Sequence, residues 1–146
     1  MSVVIAFDFG LKRTGVAVGN TLTGSATPEC TLISKDERPD WEGITRLIEE
    51  WKPEQLVVGL PIELDSGPEI KENPIKKRIE RFCNQLQGRY NLKVDQENEQ
   101  FTSIEAAARL KQLRQSGRKK KVTKDEVDKI AAAIILENWM QSNAYR

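Results

Sequence analysis

The stretch Val3-Val4-Ile5-Ala6-Phe7-Asp8-Phe9-Gly10 is followed after four residues by Gly15-Val16-Ala17-Val18-Gly19. Val3 to Phe7 are all apolar and three of the five are β-branched, which predicts a short strand buried on both faces. Gly15 to Gly19 predicts a second strand, close enough to the first to pair with it as a hairpin through Leu11–Thr14. Asp8 sits where the first strand ends. A carboxylate beside so apolar a run is costly unless it is paired or binds a cation. The competing role is local: an Asp before a glycine caps a turn through its own side chain.

Outward from this hairpin the pattern alternates between strand and helix. Thr23 to Ile33 is Thr-rich and alternating, and predicts a third strand. Trp41, Ile44, Leu47, Ile48 and Trp51 recur at helical spacing, and Pro53 stops that helix. Leu56-Val57-Val58-Gly59-Leu60-Pro61 predicts another buried strand, and Ser66-Gly67-Pro68 a loop. A second helix is expected over Ile75 to Leu86, with Ile75, Ile79, Phe82, Cys83 and Leu86 on its apolar side. Leu92-Lys93-Val94 begins a fifth strand. Two capping boxes then follow, Thr102-Ser103-Ile104-Glu105 and Thr123-Lys124-Asp125-Glu126, and each should open a helix. The last helix carries Ala131-Ala132-Ala133-Ile134-Ile135-Leu136, apolar nearly all round, and should be buried. Gly117 breaks the chain between the two and puts Arg118–Lys121 in a loop. The order β-β-β-α-β-α-β-α-α implies an α/β fold, a mixed sheet with helices on its faces. With no repeat and no dividing linker, the 146 residues are expected to form a single domain, 1–146.

Composition narrows the chemistry. The chain has no histidine, which excludes a Ser-His-Asp triad, a Cys-His dyad and any His-ligated zinc site. Two cysteines, Cys30 and Cys83, are too few for a thiolate metal site or a disulfide framework, and read as half-buried or buried thiols of a reducing compartment. No signal-like segment and no apolar run of membrane-spanning length is seen, so a cytoplasmic location is expected. The formal net charge of +1 conceals an asymmetry. Residues 1–66 carry 6 basic and 11 acidic side chains, residues 67–146 carry 17 and 11. From Ala106 to Lys124 there are eight Lys and Arg and no acid. Such a block binds a polyanion or forms a solvated surface.

The carboxylates therefore carry the functional reading. Asp8 ends the most apolar strand; Glu97 or Glu99 follows the fifth; Asp128 lies one turn before Ala131 and Ala132 on the face of the last helix, with Asp125 a turn earlier. Taken alone, Glu97 and Glu99 are ordinary solvated residues, and Asp125 and Glu126 complement a helix dipole. Taken together, and without His or Cys, converging Asp and Glu favour Mg²⁺ or Mn²⁺. Two such ions about 4 Å apart support phosphodiester hydrolysis.

Asp8-Phe9-Gly10-Leu11-Lys12-Arg13-Thr14-Gly15-Val16-Ala17-Val18-Gly19 resembles the N-terminal signature of the YqgF family, also called the pre-16S rRNA nuclease or Holliday junction resolvase family. Val58-Gly59-Leu60-Pro61-Ile62, Phe101-Thr102-Ser103-Ile104-Glu105-Ala106 and Val127-Asp128 through Leu136-Glu137 resemble its later motifs in order. The resemblance implies a ribonuclease H-like fold with a five-stranded mixed sheet flanked by helices. It implies a metal-dependent nuclease with Asp8, Glu99 and Asp128 as catalytic and metal-holding residues, and Mg²⁺ or Mn²⁺ as cofactor. The family's Asp-Glu-Arg triplet aligns with Asn98-Glu99-Gln100, which selects Glu99 over Glu97 and removes an arginine suited to phosphate. Asp125, three before Asp128, is similar to the Asp-x-x-Asp pair of the related RuvC resolvases and implies a fourth metal ligand. Lys12 and Arg13, beside Asp8, and Arg114, Arg118, Lys119, Lys120 and Lys121 are the expected nucleic-acid contacts, against the bland readings of a polar turn and a solvated loop. The implied substrate is structured RNA, the 5′ end of pre-16S rRNA; the alternative is branched DNA, the four-way junction, for which a homodimer rather than a monomer places two sites symmetrically. Two rivals stand beside these: a nucleic-acid-binding module that has lost catalysis, motivated by Asn98 and Gln100, and an actin-type nucleotide fold, for which the chain is too short to form two lobes. No membrane partner is expected.

Overall fold

The computed structural model describes residues 2–60, 74–98, 106, 108–109, 111–112 and 123–143. Strands β1 (Val3–Phe9) and β2 (Arg13–Asn20) form the expected hairpin, β1 running two residues further into the turn and β2 longer at both ends than the apolar runs alone suggest. Asp8 therefore lies inside β1, paired across the hairpin with Gly15, and Phe9 pairs with Thr14. Strand β3 (Ser25–Ile33) adds antiparallel to β2. Helix α1 (Trp41–Trp51) is capped by Asp40, whose Oδ1 accepts from the Gly43 backbone N–H at 3.1 Å. It ends in the left-handed residue Lys52, just before Pro53. Strand β4 (Gln55–Leu60) then enters parallel to β1.

Helix α2 (Pro74–Tyr90) begins with a proline, which the first turn of a helix tolerates because its N–H would have no intrahelical partner there. Strand β5 (Lys93–Asn98) pairs parallel to β4. Helix α3 (Lys124–Asn143) starts at the second capping box: Thr123 Oγ1 accepts from the Glu126 N–H at 3.3 Å and donates to Glu126 Oε1 at 3.5 Å. Of the segment after the first box, Ala106, Ala108, Arg109, Lys111 and Gln112 are described and are helical. The sheet order is β3-β2-β1-β4-β5.

The strand alternation of side chains sorts the core into two layers. Ile5, Phe7, Phe9, Val16, Val18, Leu56 and Val58 pack against Ile44 and Leu47 of α1 and Ile79, Phe82 and Leu86 of α2. Val4, Ala6, Ala17 and Val57 face the other way, onto Ala132, Ala133, Ile135, Leu136 and Trp139 of α3. Ala106 packs on the far side of α3 with Ile130, Ala131 and Ile134, which is why that helix is apolar almost all round. Cys83 is buried and Cys30 half-buried, both as free thiols. Burial pushes both thiols above their usual range, so both resist ionisation. Among the described residues no helix is long and apolar enough to cross a membrane.

Candidate functional site

Asp8 follows Val4 and Ala6 on the α3 side of β1 by the two-residue period of a strand. Its neighbour across the hairpin is Gly15. A Cβ built on Gly15 would run into the backbone carbonyl of Asp128, and into the following peptide nitrogen. The missing side chain is what lets the first turns of α3 lie directly on β2. Asp8 and Asp128, 120 positions apart in the chain, thus both adjoin Gly15 at one corner of the sheet.

Arg13 stands at the same corner. Its Nε donates to Asp128 Oδ2 at 2.7 Å and lies 3.8 Å from Asp125 Oδ1. The Arg13 and Asp128 side chains are 30% and 23% exposed, whereas Asp125 is 60% exposed. The short, half-buried contact to Asp128 therefore outweighs the longer and better solvated one to Asp125. The hydrogen bond that Arg13 donates to Asp128 is the largest influence and holds the guanidinium above its ordinary pKa; desolvation opposes it, and the attraction of both carboxylates adds to it. The backbone carbonyl of Asp125 is tied to β3, accepting from Thr31 Oγ1 at 2.6 Å. These two contacts and the Gly15 approach clamp the start of α3 to the sheet.

Acids of β5 approach from the other side. Trp139 Nε1 of α3 donates to Asp95 Oδ2 at 3.0 Å, and on the opposite face Gln96 Nε2 donates to Cys83 Sγ at 3.7 Å. The alternation places Glu97 on the α3 side with Asp95. Phe7 pairs with Val58, and Gly59 with Glu97, so Asp8, Gly59 and Glu97 stand at one level of the sheet. Gly59 leaves no side chain between the two acids. Partial burial, with Asp95 nearby, pushes the Glu97 carboxyl above its usual range. Glu99, the expected third ligand, lies outside the described residues. Among the described residues no three Asp, Glu or Cys side chains group closely enough to hold a metal ion. Asp8 and Asp128 are nevertheless a donor set of hard oxygens, the kind that Mg²⁺ and Mn²⁺ prefer.

Of the expected nucleic-acid contacts, Lys12 is exposed in the β1–β2 turn, and Arg13 has turned to Asp128. Arg114, Arg118, Lys119, Lys120 and Lys121 lie outside the described residues. Arg109, at the start of the basic block, grips Glu137 of α3 through two bonds of 2.7 and 3.3 Å. The Arg13–Asp128 pair and the Trp139–Asp95 bond are site features that sequence reading missed. Their partners are 115 and 44 residues apart, and no local spacing signals them.

Known proteins are similar to this chain over nearly its whole length. A protein named "Putative pre-16S rRNA nuclease" from Hydrogenovibrio crunogenus is 48% identical over 140 residues, covering 96% of this chain and 94% of its own. One of the same name from Actinobacillus pleuropneumoniae is 40% identical, covering 95% and 96%. Among solved structures, T. thermophilus RuvC in complex with Holliday junction substrate superposes with a TM-score of 0.55 at 16% identity, covering 99% of this chain and 97% of that one. The Fowlpox virus resolvase bound to Holliday junction DNA superposes with a TM-score of 0.55 at 16% identity, covering 97% and 98%. These two likenesses establish the shared ribonuclease H-like fold, whose five-stranded mixed sheet carries the corner described above. The family model described as "RuvX: Holliday junction resolvase" matches residues 2–142, and the chain belongs to that family.

Proposed function

We propose that this chain, acting as one domain, is a divalent-metal-dependent nuclease of the cytoplasm that processes the 5′ end of pre-16S rRNA. The observation that carries the reading is that Asp8 and Asp128 both adjoin Gly15, at one corner of the sheet. An Asp near the end of a buried strand and an Asp of the helix laid across it, with a guanidinium beside them, form the kind of charged cluster that functional sites favour. The names of the relatives at 48% and 40% identity supply the RNA substrate.

In this reading Asp8, Glu99 and Asp128 hold Mg²⁺ or Mn²⁺, with Asp125 as a fourth ligand. The bound ions supply the charge that activates water and steadies the leaving oxygen. Arg13 orients Asp128 through its Nε, and its two terminal nitrogens remain to meet a phosphate. Lys12, exposed in the adjoining turn, and the run Arg114 to Lys121 draw the nucleic acid in, which makes binding sensitive to salt. Such a site would need no histidine, because metal charge would do the work of a neutral base.

A second reading is favoured by the family description and by the junction-bound structural neighbours: cutting of four-way DNA junctions, by a homodimer rather than a monomer. Labelled pre-16S rRNA and four-way junctions, each with Mg²⁺ or Mn²⁺, separate the two. We expect site-specific cleavage of the RNA and a loss of at least about 100-fold in Asp8→Asn, since removing even an outer partner of a metal ligand costs about 10–100-fold. Specific cleavage that persists in Asp8→Asn would sink the site. Cleavage confined to the junction selects the second reading, and binding of both substrates without cleavage selects a non-catalytic binding module.

A further inference from the structure

On the face of the sheet opposite α3, a cavity of about 570 Å³ lies between the β3–α1 connection and α2. Four arginines line it, Arg38, Arg78, Arg81 and Arg89, against only two carboxylates, those of Asp36 and Glu37. Arg78 is neutralised by Glu37 at 2.8 Å, and Arg89 sits over the Trp41 ring, 4.1 Å from its centre. Arg38 and Arg81 have no carboxylate within ion-pair distance among the described residues, and both are exposed. Positions 78, 81, 85 and 89 of α2 fall on one helical face, so the helix presents a basic stripe to the cavity.

The opposite wall is built with strain. Lys35 and Arg38 bridge each other through two backbone bonds of 3.1 and 2.8 Å, and both residues between them are left-handed, Asp36 at φ 51° and Glu37 at φ 61°. Such a turn ordinarily takes Asn-Gly. Here non-glycine residues are held in an unfavourable conformation, and the result is that Arg38 lines the cavity and Glu37 reaches Arg78. Strained backbone of this kind collects at binding sites.

The position of the cavity relative to the carboxylate corner suggests its ligand. Phe9, which lines the cavity, directly follows Asp8 in β1, and successive side chains of a strand point to opposite faces. The cavity and the corner thus open at the same end of β1, across the rim of the sheet from each other. A strand passing over that rim would meet both. A cavity of this size is in the range that encloses small organic ligands, about one or two nucleotides of a single strand and not a duplex. Arginine forks match phosphate oxygens bidentately.

We propose that this arginine cavity binds the phosphodiester backbone of the single-stranded RNA that flanks the bond presented to Asp8, with Arg38 and Arg81 each engaging a phosphate. This rests on the nuclease reading above, and adds a second anchoring point to it. The test uses the full chain in chelator, so that nothing is cut, and a 5′-fluorescein oligouridylate of about 16 nucleotides, the upper site size of a single-strand groove. Binding is measured across a salt series for the natural protein, R38A/R81A, R81A alone and R38K/R81K. Each phosphate contact to a single strand contributes about −0.7 to the slope of log K against log salt. R38A/R81A should be shallower by about 1.4 and bind about tenfold more weakly near 0.1 M salt, R81A by about 0.7, and R38K/R81K should keep the natural slope. R81A replaces an exposed mid-helix residue with the best helix former, so the test does not depend on a fragile variant. A natural protein that binds with a slope unchanged in R38A/R81A and R81A overturns the cavity and leaves the nuclease reading standing. A natural protein that does not bind the strand at all overturns the RNA reading, and this inference with it.

Discussion

The two faces of the sheet are packed by different means. On the α1–α2 side, large side chains fill the space: Phe82 touches Phe7 edge-on at 5.6 Å and lies against Phe9 at 4.8 Å and Trp41 at 5.6 Å between ring centres. On the α3 side, beside Val4, Val57, Leu136 and Trp139, the closest approaches are made by small residues. Ala6, Ala17, Gly15 and Gly19 face Ala132, Ala133 and the helix backbone, and a Cβ on Gly19 would come within 2.7 Å of Leu136 Cδ2. Bulky side chains make a core that tolerates some rearrangement of rotamers. A backbone-to-backbone approach has no such freedom, and it is this approach that lays the Asp128 backbone on Gly15, the partner of Asp8 across the hairpin. The first face chiefly supplies stability. The second supplies the precision with which two carboxylates are held.

Phe82→Ala should have the largest effect on stability, about 4 kcal/mol by denaturant unfolding, because it empties the centre of the aromatic cluster. Cleavage per folded molecule should survive it; loss of cleavage at full folding would break the division between the faces. Gly15→Ala should cost about 3 kcal/mol, since the methyl meets backbone that can yield only by moving α3. Here cleavage should fall even where the protein remains fully folded, and full activity in folded Gly15→Ala would show that the close approach does not set the site. The smallest effect is expected at Glu97. Its carboxyl is pushed up by partial burial and by Asp95, so its folded pKa lies above the unfolded one. The stabilisation linked to the protonated form is complete below the unfolded value and is lost as pH rises through the folded value. Glu97→Gln should therefore match the natural protein near pH 4 and exceed it near pH 7, within about 0.5 kcal/mol, in thermal melts run with chelator. An equal difference at both pH values would mean that the charge at Glu97 has no part in it.

Much of this is legible in the amino-acid sequence. The apolar run ending at Asp8 marked a buried strand with a misplaced charge, and the capping box at Thr123 placed Asp128 on the buried side of a helix. Both are local signals, carried by spacings of two and of three to four residues. The family motifs added the ribonuclease H-like fold and the choice of Glu99 over Glu97. Glu97 and Asp95 were harder, because a short strand with charges at alternate positions looks like a solvated edge. The Arg13–Asp128 pair and the cavity between Arg38 and Arg81 were not readable, since each joins residues far apart in the chain. The stripe at 78, 81 and 89 was the available hint, overshadowed by the denser block after Ala106.

The amino-acid sequence by itself determined which segments are strands and helices, which carboxylates could not be explained by solvation, and, through the missing histidines, that any hydrolytic chemistry here runs without an imidazole. Those properties follow from residue type and local period, which the chain carries wherever it is placed. The tertiary structure alone decided that β4 separates β1 from β5, that α3 rests its backbone on Gly15, that Arg13 reaches Asp128, and that a basic cavity opens across the rim from Asp8. Contacts between distant segments depend on how two surfaces fit once brought together, and neither surface alone specifies that fit.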